Sequence, residues 1–375
     1  MNEELRFVGV LSDTHEDKMK ALPHVINQFK KRGVQLIIHC GDLYPKHLNA
    51  DLFGGLPVVC ALIDEQIEKD GREKEEFRIP PIDWTFTKPG ERIYKLTEYE
   101  SIYVGHKLSF NFLAGSGAEL NRKLQEIRKN SDGVRWIFGG HTHNQIYKQD
   151  HLISFVNPGA VQDSCDGYEF AFIDLENSEI VFSRIPKTSP IKETFSIGVI
   201  SDSWLISEMD PGFWKKLAEE FKRRGVTHII HCGGIATADI GRPEFEGFKV
   251  RYNLNKNQKN ERTFENWELI PSEEPIVEIN DYRFYVQYDL GMDLLEKSEI
   301  DMHMLCLNLR RKFPGISFVL CGFTNDAFLE EGQEVRIINP GDILTDRNFA
   351  VICLPRTEIT FGHVPLDPLP DIELE

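Results

Sequence analysis

Residues 30–42 read KKRGVQLIIHCGD, and residues 222–234 read KRRGVTHIIHCGG, with nine of thirteen positions identical. Each block leaves a charged, helix-patterned segment (roughly MKALPHVINQFKKRG and PGFWKKLAEEFKRRG) and enters an apolar run of strand character. In front of each helix stands another short apolar run, FVGVLSD before the first and IGVISDS before the second. The unit is therefore strand, helix, strand, and it occurs twice.

The repetition extends outward in both directions. VGVLSDTH (8–15) returns as IGVISDSW (197–204), WIFGGHTHN (136–144) as FVLCGFTND (318–326), and FVNPGAV (155–161) as IINPGDI (337–343). Four blocks in one order mark two tandem copies of one domain, since the period is far too long for a solenoid. The expected division is 1–188 and 189–375, with the junction near IPKTSPIKE (185–193), where Pro186 and Pro190 bracket a polar stretch. Early βαβ units followed by the runs PVVCALI, YKLTEYESIYVG, WIFGGH, HLISFVNPG, YEFAFIDL and EIVFSRI, with a helix at GAELNRKLQEIRKN, predict an α/β domain with a mixed sheet, or with two sheets flanked by helices.

Bulk properties narrow the function classes. The 375 residues are 41% hydrophobic and 27% charged, ordinary for globular domains with sizeable cores. A net charge of −17 disfavours nucleic acid and anionic membranes as partners, because both require Lys/Arg-rich surfaces. A small phosphorylated substrate stays compatible, since a bound cation inverts the local field. The seven cysteines include no CxxC pair, and several sit in apolar runs, which reads as reduced thiols and a cytoplasmic setting. MNEELRF lacks the basic and apolar regions of a signal peptide, and no apolar run reaches the roughly 18–20 residues that span a bilayer.

Three motifs place metal-binding residue types at the ends of apolar runs: Asp13-Thr14-His15, Gly41-Asp42 and Gly140-His141-Thr142-His143. In an extended segment, residues two apart share a side, so Asp-x-His and His-x-His each present two donors together. Mixed carboxylate and imidazole donors suit Mn, Fe, Zn or Ni better than Ca or Mg. Each motif alone is weak, whereas the three together predict a divalent transition-metal site.

These motifs resemble those of the calcineurin-like metallophosphoesterase superfamily, most closely its small bacterial and archaeal phosphodiesterase (Vps29-like) branch. The family order D-x-H, GD, GN-[HC]-[DE], HG-H, GHTH, NPGS appears here as SDTH, GD, an altered third block, an altered fourth block, GHTH and NPGA. The resemblance covers about residues 6–185 and, in decayed form, about 195–360. It implies two tandem four-layer α/β/β/α sandwiches. It implies a first metal held by Asp13, His15, Asp42 and His143, and a second shared by Asp42 and His141, with Mn as the first expectation. It also implies hydrolysis of a phosphoester by metal-activated hydroxide, with Asp42 and His106 as catalytic residues.

The departures are specific. The third block reads Val59-Cys60-Ala61-Leu62-Ile63-Asp64, so Leu62 replaces a ligand Asn and Ile63 stands where a general-acid His often occurs. The fourth reads Val104-Gly105-His106, so Val104 replaces a second-site His. One firmly held ion and an absent or adventitious second are expected. His106 has two open readings, a contact to metal or phosphate, or a polar residue at a strand end. His39, His231, Cys40 and Cys232 read as structural, Asn157 and Asn339 as turn residues. The charged run EQIEKDGREKEEFR (65–78) reads as a solvated loop or short helix, with a substrate-gating lid as the alternative.

In the second copy, Trp204, Gly234, Phe323 and Asn325 occupy the positions of His15, Asp42, His141 and His143, and only Asp202 persists. Trp204 and Phe323 predict an apolar plug, with a small-molecule or peptide pocket as the alternative. Two functions follow: a metal-dependent phosphoesterase with an incomplete second site, acting on a small phosphoester, or a non-catalytic protein-interaction scaffold of the same fold.

Overall fold

The computed structural model describes residues 5–14, 21–67, 73–89, 91–96, 100–106, 117–130, 133–150, 153–162, 167–186, 193–254, 258, 263–290, 302–332 and 335–365. His15, residues 68–72 of the charged run and residues 187–192 of the expected junction lie outside the described residues.

In the first half, β1 (Phe7–Leu11), α1 (Leu22–Lys31) and β2 (Leu36–His39) form the anticipated βαβ unit, followed by β3 (Val58–Ala61) and β4 (Trp84–Thr87). Next come β5 (Ile93–Lys95), β6 (Ser101–Val104), α2 (Gly117–Asn130), β7 (Val134–Phe138), β8 (Gln145–Asp150), β9 (Ile153–Pro158), β10 (Gly167–Asp174) and β11 (Glu179–Pro186). The second half runs β12 (Phe195–Ile200), α3 (Ile206–Met209), α4 (Phe213–Arg223), β13 (Val226–His231), β14 (Lys249–Tyr252), β15 (Trp267–Leu269), β16 (Ile276–Ile279) and β17 (Tyr282–Val286). It ends with α5 (Met302–Lys312), β18 (Ile316–Leu320), β19 (Phe328–Gly332), β20 (Val335–Asn339), β21 (Asn348–Leu354) and β22 (Glu358–His363). Single 3₁₀ turns at Asp64–Gln66 and Glu75–Phe77 frame the charged run.

α1 shows why these segments fold as they do. Leu22, Val25, Ile26 and Phe29 recur at helical spacing and are buried, Pro23 sits in the first turn, and Lys30 and Lys31 close the last turn where cations favour the helix dipole. Strands β2 and β3 are buried on both faces, as parallel strands under helices must be.

The strands form two sheets. One runs β15-β14-β13-β12-β21-β22-β11-β10-β1-β2-β3-β4, the other β16-β17-β18-β20-β19-β8-β9-β7-β6-β5. The strand order of the second half mirrors that of the first in both. A core of Val8, Ile38, Val104, Phe138, Phe182, Ile197, Phe318 and others fills the space between the sheets. Helices α1 and α4 cover the outer face of the larger sheet. Helices α2 and α5 cover that of the smaller one. The result is the expected α/β/β/α layering. The two sandwiches, however, share their sheets: β11 pairs with β22 and β8 with β19, so no sheet edge is left open between the halves.

This seam is isologous. In the larger sheet Ile180 faces Phe361 and Phe182 faces Ile359, about a centre at Val181 and Thr360. In the smaller sheet Ile146 faces Glu330 and Lys148 faces Phe328, about Tyr147 and Leu329. Reciprocal ion pairs flank the centre, Arg32 with Glu358 at 2.7 Å and Arg224 with Glu179. Such reciprocity is the signature of a two-fold interface.

Candidate metal centre

The candidate ligands lie where strands of the two sheets end side by side. Asp13 follows β1 and Asp42 follows the parallel β2. His106 follows β6, and His141 and His143 follow the parallel β7. Carboxyl ends of parallel strands are where open α/β sheets gather their polar side chains. Asp13, Asp42, His141 and His143 all have positive φ, at 55°, 57°, 73° and 59°. Non-glycine residues rarely adopt this backbone, and four in one cluster indicate strain held by the surrounding structure.

Backbone bonds tie the loops together. Asp13 N–H donates to Gly41 O at 3.1 Å, Gly140 N–H to His106 O at 3.1 Å and Gly105 N–H to Phe138 O at 3.0 Å. Gly41, at φ 110°, has no side chain because a Cβ there would stand 2.5 Å from the Cβ of His106. Asn157 of the NPG turn donates to Gly140 O at 3.0 Å and Thr142 Oγ1 at 2.9 Å, holding the GHTH loop. His39 is structural, as expected. It accepts Gly41 N–H at Nδ1 (3.2 Å), so its Nε2–H donates to Thr14 Oγ1 at 3.0 Å, and burial pushes it down to about 3, leaving it neutral.

Asp13 is fully buried, and its Oδ2 accepts the His141 N–H at 3.1 Å. Its Oδ1 accepts no hydrogen bond and faces His143 Nε2 at 3.3 Å and His106 Nε2 at 3.9 Å. Burial would raise this carboxyl, but the facing His143 imidazole above all outweighs it and holds the carboxyl below the usual carboxylate range. His106 donates Nδ1–H to Cys40 O at 3.0 Å, which leaves Nε2 as a lone pair toward Asp13. Burial, stronger than the pull of Asp13 and Asp42, holds His106 below its ordinary value and therefore neutral. An imidazole anchored through one nitrogen with the other free is the arrangement of a metal ligand.

Among the described residues, Asp13, Asp42 and His106 form the one group whose donor atoms all lie within 4.8 Å of one another. Ligands on a common ion with bonds of about 2.1 Å stand up to about 4 Å apart, so modest closure seats a cation among them. The residues present thus fit a metal: a buried, unsatisfied carboxylate oxygen faces two imidazole nitrogens. His141 stacks edge-on to His106 with ring centroids 5.1 Å apart, and its side chain is exposed at the rim. His143 is held at Nδ1 by the Gln162 amide at 2.6 Å. Of the residues read from the sequence, all but the undescribed His15 converge here.

His106, left open between two readings, joins the metal-capable group. Gln162 was missed, although its place five residues beyond Asn157 puts it on the same turn. At the altered positions, Leu62 and Val104 are fully buried aliphatic side chains, so the second-site side of the cluster keeps only Asp42 and His141.

The second half repeats the frame. Asp202, Gly234 and Phe323 have φ of 57°, 71° and 72°, and His231 accepts Gly233 N–H and donates to Ser203 Oγ at 2.7 Å. The expected plug is different, however. Trp204 and Phe323 are 52% and 43% exposed and do not fill the site, because their positions belong to the solvent-facing rim, as exposed His141 shows. Tyr288, two residues past β17 as His106 is two past β6, fills it instead. Its hydroxyl donates to Asp202 Oδ1 at 2.5 Å, and its ring meets Phe323 edge-on at 5.6 Å.

Solved structures similar to this chain include an archaeal phosphodiesterase (22% identity, 44% of this chain and 98% of that one, TM-score 0.32). Yfce, a phosphoesterase from E. coli, is another (17%, 50% and 97%, 0.31). A third is Vps29 of Entamoeba histolytica complexed with zinc (18%, 48% and 91%, 0.33). No curated protein matches the chain. Residues 7–178, which carry the whole Asp/His cluster, match the family model of the calcineurin-like phosphoesterase superfamily domain.

Proposed function

We propose that the first half, residues 1–188, is a metal-dependent phosphoesterase acting on a small phosphoester. It holds one divalent ion firmly and a second weakly or not at all, and residues 189–375 are a non-catalytic copy. The observation that carries this reading is the buried Asp13 Oδ1, unsatisfied and facing His143 and His106. A buried carboxylate oxygen without a hydrogen bond is costly unless a cation satisfies it.

Asp13, Asp42, His143 and, from the undescribed segment, His15 would hold the ion, with His106 as a further donor. When bound, the ion supplies an activated water and neutralises charge on the phosphoryl group. The protein keeps His106 neutral and aimed, and presents His141 at the rim where a phosphoester oxygen would arrive. Mn is the expected metal. Six described cysteines are free thiols, five of them buried, which fits a reducing, cytoplasmic setting. Among the described residues no helix is long and apolar enough to cross a membrane.

The test is hydrolysis of a chromogenic phosphodiester with added Mn²⁺, together with metal content after purification. Loss of both in Asp42→Ala supports the reading, and absence of turnover with any metal overturns it. Leu62 and Val104 favour a second reading, in which the fold serves as a protein-interaction scaffold with a vestigial ion site. Tight metal binding without turnover would be its outcome.

A further inference from the structure

Resting on the metal-site reading above, we propose that the second half acts as a positioning subunit for the first, through the side chain of Glu331 inserted behind the loop that orients His143. The two ends of the seam are related by the pseudo-two-fold, yet they are built differently. Behind the Asp13 cluster stand Glu169 and Arg184 of the first half with Glu331 and Arg336 of the second. Arg184 pairs with both glutamates, and Arg336 lies 3.5 Å from Glu331 and 3.7 Å from Glu169. Glu169 and Arg336 are almost entirely buried. At the equivalent place behind Asp202, strand register puts Asn348 for Glu169, His363 for Arg184, Gln149 for Glu331 and Ser154 for Arg336. There the link is one neutral hydrogen bond, Asn348 Nδ2 to Gln149 Oε1 at 3.5 Å. The charged network exists only behind the half that keeps the Asp/His cluster.

A short chain of contacts leads from the network to the cluster. Glu169 N–H donates to Ala160 O at 3.1 Å, and the Glu169 carboxylate lies against Gly159, where a Cβ would stand 2.1 Å from Oε2. Gly159 N–H donates to Asn157 Oδ1 at 3.1 Å, and Asn157 holds the GHTH loop. Val161 N–H donates to Ser12 O at 3.2 Å, beside Asp13. Gln162 ends the segment on His143 Nδ1. Removing Glu331 leaves Glu169, already bonded to Arg184 through Oε1, as the one acidic partner of both arginines, which draws its Oε2 off Gly159 toward them. Orienting partners of a metal ligand typically matter by about 10–100-fold in affinity.

The experiment compares the full chain with two variants. One is E331Q. The other, E169N/R184H/E331Q/R336S, transplants the neutral set that the other end of the same seam already carries, so it has no unpaired buried charge. E358Q, which breaks the Arg32 pair elsewhere on the seam, is the control. Mn²⁺ affinity should fall about 10-fold in both network variants and stay at the wild-type value in E358Q. The histidine side-chain ¹⁵N resonances of His143, recorded on metal-free protein, should shift in the network variants alone. Unchanged His143 resonances in the folded transplant overturn the proposal, as does an equal effect from E358Q. Should wild type bind no Mn²⁺, the metal reading fails, and the His143 resonances still decide the role of Glu331.

Discussion

Around Asp13 and around Asp202 the backbone is nearly the same. Both carboxylates have positive φ, and both accept a backbone N–H across the sheets, from His141 and from Phe323. Both are backed by a buried neutral histidine bonded to a Ser or Thr hydroxyl. What differs is the group facing the second carboxylate oxygen: imidazole nitrogens in the first half, a phenol in the second. The same strained frame thus carries different donors in the two halves. The Tyr288 hydroxyl satisfies in the second half the carboxylate oxygen whose counterpart in the first half has no hydrogen bond. The comparison separates what the fold requires, the frame, from what the chemistry requires, the donors.

The comparison is broken most severely by removing a donor that only the first half has. Asp42→Ala should abolish tight Mn²⁺ binding and lower phosphoesterase turnover by about 10³-fold, as loss of transition-state charge stabilisation does. Turnover that survives in metal-stripped Asp42→Ala would refute the assignment. Leu62→Asn with Val104→His restores the donor types absent from the second-site side. Two Mn²⁺ per chain instead of one, with turnover raised by about 10²-fold, is expected from completing a two-metal clamp. Unchanged stoichiometry would place the defect elsewhere.

In the second half, Tyr288→Phe strips Asp202 Oδ1 of its donor. Chemical denaturation should show a loss of about 1–3 kcal/mol, the cost of an unsatisfied buried acceptor, while Mn²⁺ binding by the first half is untouched. A neutral result would mean that the phenol is a filler and not a substitute for the cation.

The smallest effect per unit concerns pH. Burial lowers His231 to about 3, so the folded state favours its neutral form. Its contribution is complete above the unfolded value of about 6.5 and is lost as pH falls from there toward 3, at up to about 1.4 kcal/mol per pH unit. His39 behaves alike in the first half. Urea midpoints between pH 7 and 4.5 should fall less steeply in His231→Gln than in wild type. Parallel slopes would show that the histidine is not a source of acid lability.

Much of this was legible in the residues. The return of IIHCG and NPG pointed to an internal repeat, and D-x-H, GD and GHTH pointed to the strand ends that the fold brings together, because donors at strand ends are contiguous with the apolar runs that carry them. The role of Tyr288 was not legible: it replaces His106, whose motif was itself altered, so no quoted block pointed to it. Nor was the exposure of Trp204 and Phe323, since side-chain type does not tell a rim position from an interior one. The sharing of the sheets depends on which edges meet, and alternation along a strand is silent about its neighbour.

The amino-acid sequence by itself thus determined the α/β layering and displayed the internal repetition and the candidate donors, since all three rest on local periodicity and short motifs. Only the tertiary structure decided that β11 and β8 join β22 and β19 into continuous sheets. It alone faced Asp13 Oδ1 with two imidazoles and Asp202 Oδ1 with a phenol, and placed a buried charge network behind one site and not the other. These are relations between segments far apart in the chain, fixed by packing and burial, and no local pattern encodes them.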